Sequence, residues 1–175
     1  MENFQVGCLV LGAAVLTWQA RAAKQPHERV FFAALALFFA SFALREFDVR
    51  KGDWTPLAVG VLSGTVRNLW LGGLWLVIGY FAYRQRANVL TSGWKWLKST
   101  PGRILLVAGL FWVVAAAVDK ADAFGTRRRN LLAEELIEVD AALLMALSAF
   151  ISLMRSHNTL AENAASQWTP ADHPT

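Results

Sequence analysis

The sequence predicts an all-α, polytopic integral membrane bundle of five transmembrane helices plus a short interfacial helix. Three observations carry this. The 175 residues are 55% hydrophobic and only 17% charged, where a soluble domain is about one quarter charged. The apolar residues fall in blocks long enough to cross the ~30 Å hydrocarbon layer. The Lys and Arg residues gather in the short segments between blocks, where they set topology and meet headgroups. The net charge of +4 therefore points to the lipid surface and excludes a nucleic-acid partner.

The first span covers residues 4–20. Small residues at its end, Ala20-Arg21-Ala22, raise a cleaved signal peptide as an alternative. Glu2 precedes the block and Arg21, Lys24 and Arg29 follow it, the reverse of a signal peptide's charge order, so a retained helix is expected. Cys8 is the only cysteine, which excludes an intrachain disulfide and reads as a small packing residue. After the Gln25-Pro26 turn, the second span covers 30–48 and is uninterrupted until Arg45 and Glu46.

Thr55-Pro56 reads as an N-cap with proline at the first helical position. It opens a third span over 57–84. That length exceeds the bilayer, so the helix either tilts outward or breaks near Gly60, Ser63 and Gly64. Gly60, Gly64, Asn68 and Gly72 form a small-residue face suited to close helix packing.

Residues 92–99 (SGWKWLKS) mix Trp94 and Trp96 with lysines and read as an interfacial segment, indoles among headgroups and ammonium groups in water. The fourth span covers 104–123. A loop with three consecutive arginines leads to the fifth, 131–154, whose first turns carry Glu134, Glu135, Glu138 and Asp140. Residues 1–155 form one transmembrane domain, and 156–175 read as a flexible cytoplasmic tail. The balance of Lys and Arg puts the N-terminus outside and the C-terminus inside. Small size and short loops suggest a bacterial inner membrane.

Counting along each helix reveals a shared depth. Arg45 lies sixteen positions beyond Arg29, Arg67 seventeen before Arg84, Asp119 sixteen beyond Arg103, and Glu138 seventeen before Arg155. All four fall about 24–26 Å from their basic ends. Gln5 stands sixteen positions before Arg21, at the same height. The expected ionic layer comprises Arg45, Glu46, Asp48, Arg67, Asn68, Asp119, Asp122, Glu134, Glu135 and Glu138. Arg45 and Arg67 are the natural carboxylate partners, because buried charge must be paired. Ala108, Trp112 and Ala115 lie below Asp119 on its face, and Ala142, Ala146 and Ala149 continue the Glu138 face.

Zinc is excluded from this layer, which lacks His and Cys; His27, His157 and His173 fall on the opposite side. An all-oxygen set would suit a divalent cation. Ser41 has no adjacent base and reads as a hydroxyl bonded within its own helix. The reading adopted is a non-enzymatic scaffold or binding protein whose layer receives a membrane-protein partner, a second copy or a ligand. The alternatives are an intramembrane enzyme using paired carboxylates, with Glu138 and Asp119 as candidate catalytic residues, and ion- or proton-coupled transport by an oligomer.

Overall fold

The computed structural model describes residues 2–47, 55–62, 64–121 and 127–166. These form seven helices: α1 (Glu2–Ala22), α2 (Pro26–Glu46), α3 (Pro56–Leu62), α4 (Gly64–Arg84), α5 (Arg86–Lys98), α6 (Thr100–Ala121) and α7 (Arg127–Ser166). Four of them are long and apolar enough to cross a bilayer, over Asn3–Ala22, Pro26–Glu46, Thr100–Val118 and Arg129–Ser156. α4 matches α1 in length, but Arg67, Asn68, Tyr80 and Tyr83 lower its hydropathy and it falls outside this set. The described chain is thus an all-α bundle of the membrane type.

Local chemistry explains the boundaries. Pro26 starts α2 behind an extended Gln25, since its missing N–H costs nothing at a helix start. The expected long third helix is broken: Gly64 has φ +61°, a left-handed conformation that glycine adopts without penalty. Nothing approaches within 4 Å of a Cβ built on Gly60, Gly64 or Gly72. The glycine face is open, and Gly64 serves a turn instead of helix packing. Ser99 is extended between α5 and α6, and Pro101 stands in the first turn of α6. A Cβ on Gly102 would strike the Trp96 carbonyl and the Leu97 backbone, so this turn requires glycine. The tail expected from residue 156 continues as helix to Ser166.

α1 and α7 run parallel, held by one register. On α1, Gln5, Leu9, Gly12, Leu16 and Gln19 are all buried, at alternating steps of four and three. This is the seam of a coiled coil. On α7, Ala142, Met145, Ala149 and Ser152 are buried in the same rhythm, which begins at half-buried Glu138. Each α7 position is its α1 partner plus 133. Hydrogen bonds at both ends fix this offset: Gln5 donates to Glu138 at 3.5 Å, and Ser152 donates to Gln19 at 2.8 Å.

Apolar contact gains little over lipid, so packing density and interhelical hydrogen bonds must hold such a bundle. The sequence supplies both. Ala108 and Ala115 of α6 and Ala141, Ala142 and Ala149 of α7 are 1% exposed or less, so these backbones approach closely. Phe39 of α2 fills the space above Gly12, where a Cβ would come within 2.6 Å of its ring. Cys8 is a buried thiol in the same core.

The path between α2 and α6 matters for topology. α2 runs toward the Gln5–Glu138 end. α6 starts at the other end, where Ser148 of α7 donates to the Pro101 carbonyl at 2.7 Å. The chain must travel the length of the bundle in between, and α4 does so. Near its start, Arg67 donates to the Leu44 carbonyl at 2.6 Å; further along, Trp75 donates to Ser41 at 3.3 Å. Beyond it, α5 sets Trp96 against Phe31 near the start of α2, ring centroids 5.5 Å apart. α4 therefore lies antiparallel to α2 on the outside of the bundle.

Candidate functional site

Glu138 stands at the end of the bundle toward which α2 runs. Glu138 is half-buried on α7 and accepts the Gln5 amide bond. Arg45 and Glu46 of α2 and Glu134 of α7 lie within electrostatic range of it. Three helices thus contribute to one region. Arg45 and Glu46 approach at 3.6 Å, with their side chains 66% and 16% exposed. An exposed pair of this kind contributes little stability. Glu46 turns inward, while the Arg45 guanidinium lies 5.8 Å from the centre of the Trp112 ring on α6. The indole Nε1 of Trp112 is buried with no hydrogen-bond partner among the described residues, a costly state for a donor in a low-dielectric interior.

The remaining predicted residues divide. Among the described residues Arg67 has no carboxylate partner; it binds the Leu44 carbonyl and caps the end of α2. Helix C-termini leave carbonyls unsatisfied and favour cations, which explains the choice. Asn68 is exposed and Glu135 half-buried. Asp48 and Asp122 lie outside the described residues, as does the side chain of Asp119. Among the described residues, no group of three His, Cys, Asp or Glu side chains is arranged to hold a metal ion. Ser41 donates to the Leu37 carbonyl at 2.7 Å, the intrahelical bond expected of it.

The opposite end holds polar residues that the sequence reading did not select. Trp96 donates to Ser152 at 3.2 Å, Ser152 to Gln19, and Gln19 to the Ala149 carbonyl at 3.2 Å. This chain of bonds joins α5, α7 and α1. Trp96 was expected among headgroups, yet it points inward. Trp94 is the exposed indole, with the Lys98 ammonium 5.0 Å from its ring centre. The signal for Gln19 was present in the spacing: it completes the Gln5, Leu9, Gly12, Leu16 seam.

The described residues form a helical bundle of the membrane type, with Glu138 at one end and a chain of neutral side-chain hydrogen bonds joining α1, α5 and α7 at the other. Comparison with models of known families, with curated proteins and with solved structures gave no match.

Proposed function

We propose that this chain is a five-span, non-enzymatic helper of a bacterial inner membrane that binds a membrane-protein partner or ligand through its outer ionic end. The observation that carries the reading is the position of Glu138. It is a half-buried carboxylate tied, among the described residues, to the neutral Gln5 amide at 3.5 Å, with Arg45 nearby largely exposed. A purely structural ion pair would close Arg45 on Glu138. Leaving the guanidinium outward and the acid half-buried suits recognition of a partner that carries both signs of charge. The five-span count rests on α4, whose 21 residues extend about 31 Å between the two ends of the bundle. α5 is the interfacial helix, and the excess of Lys and Arg around it places that end in the cytoplasm, with the N-terminus outside.

The approach of Glu46 and Glu134 to Glu138 favours one second reading, acid–base chemistry by paired carboxylates on a lipid-linked substrate. Variants separate the two. Tagged wild type, Arg45→Ala and Glu138→Gln are compared for membrane abundance and for what co-purifies in mild detergent. The helper reading expects near-normal abundance and loss of one defined co-purifying species in both variants. Loss of abundance in parallel for both variants would reduce the ionic end to a structural clamp. Retained binding with accumulation of an unprocessed lipid in Glu138→Gln would establish the enzyme.

A further inference from the structure

We propose that the cavity at the basic end of the bundle binds the phosphoethanolamine headgroup of a membrane phospholipid. The cavity is an open one of about 570 Å³, within the usual range for small-molecule sites. It lies where the end of α1, the starts of α2 and α6, α5, and the end of the α7 span converge. Glu28, Lys95 and Arg155 stand on its walls, with the hydroxyls of Ser92, Ser99 and Ser156 among its lining.

The wall chemistry selects the ligand. Gln19, Ser152 and Trp96 also line the cavity, but their polar groups are engaged with one another. That part of the wall is held in shape and is not seeking a ligand. Glu28 and Lys95 make no ion pair among the described residues, although both line one cavity. One cation and one acid suit a zwitterion better than a simple anion: Lys95 takes a phosphodiester, as an ammonium group does, and Glu28 takes an ammonium. A primary ammonium can donate hydrogen bonds to the Glu28 carboxylate, whereas a trimethylated one cannot. An anionic glycerol headgroup would leave Glu28 uncompensated beside the phosphate. Phe32, half-buried, is part of the lining and offers apolar surface to the glycerol and first acyl carbons. The depth also fits a lipid headgroup, because exposed Trp94 under Lys98 marks the interfacial zone on the same helix. The inference is independent of the ionic end.

The test uses the full chain in mild detergent, incubated with equimolar phosphatidylethanolamine, phosphatidylcholine and phosphatidylglycerol of one chain length, with bound lipid read by native mass spectrometry. Glycerophosphoethanolamine, the water-soluble headgroup, is added as a competitor in a second arm. The expected result is retention of phosphatidylethanolamine about tenfold above the other two lipids, the value of one charge-assisted hydrogen bond. Glu28→Gln removes that preference, Lys95→Gln lowers retention of all three lipids, and Lys120→Gln at the opposite end changes nothing. Equal retention of the three lipids by the wild type would overturn the proposal, as would an undiminished preference in Glu28→Gln. Displacement by glycerophosphoethanolamine at concentrations equal to the lipid would overturn the lipid as the source of the headgroup.

Discussion

Ser152→Ala isolates the bond network that fixes the register of α1 against α7. Ser152 is 6% exposed and stands in the middle of the chain of donors, accepting from Trp96 and donating to Gln19. Its removal leaves the Trp96 N–H and the Gln19 carbonyl oxygen without those partners. A buried polar group left unpaired costs about 1–3 kcal/mol, while single interhelical hydrogen bonds in membrane proteins average about 0.6 kcal/mol. The lower scale governs here, because an unfolded membrane helix also finds partners. Two lost bonds then give about 1–2 kcal/mol, or about 2–8 °C in Tm for a chain of this size. Gln19→Leu removes the other partner at similar volume and should cost a similar amount. The double variant should cost less than the sum, because neither change then strands the other group. Thermal unfolding of the four proteins in one detergent gives the coupling. Strictly additive losses would refute the network, and so would a Ser152→Ala protein with wild-type Tm.

Other perturbations follow from the packing. Gly12→Ala should lower stability by about 1–3 kcal/mol by forcing Phe39 from its place, with partial rescue by Phe39→Leu; the same thermal assay reads both. Gly102→Ala should be more damaging, since the obstacle is the Trp96–Leu97 backbone, whereas Gly73→Ala, with nothing within 4 Å, should leave membrane abundance unchanged. Arg67→Met should loosen α4 from α2 by removing the bond to Leu44, and disulfide formation in a Ser41→Cys, Trp75→Cys chain should fall in its presence. Trp112→Phe should be close to neutral or stabilising, because it deletes a buried donor that has no partner among the described residues.

The apolar blocks made the helices and their ends legible, because long hydrophobic runs and proline breaks are properties of the local chain. Ala142, Ala146 and Ala149 were legible as a packing face for the same reason, since small residues at three- and four-residue spacing can only line one side of a helix. The ionic end was legible as a height but not as a set of partners. Rise per residue places Arg67 level with Arg45, yet it cannot show that α4 stands outside α2 and that the end of α2 offers Arg67 a carbonyl. Gln19 and Ser152 escaped notice, and Trp96 was placed among headgroups, because glutamine, serine and tryptophan near helix ends ordinarily face headgroups. Their inward turn depends on α1, α5 and α7 meeting, which no single segment encodes. The break at Gly64 was one of two outcomes that the length of the third segment left open, and the left-handed backbone there decided it.

The proposed five-span topology requires α4 to carry the chain across one bilayer, between the Glu138 end and the proposed headgroup cavity. It is tested most directly by single cysteines at Thr55 and Asn88 in a Cys8→Ala background, probed in intact cells with a membrane-impermeant maleimide. Thr55 and Asn88 are both exposed; Thr55 precedes α3 and Asn88 stands in the first turn of α5, so α4 lies between them in the chain. The account predicts labelling at Thr55→Cys in intact cells and at Asn88→Cys only after the membrane is opened. Labelling of both positions from the same side would contradict it.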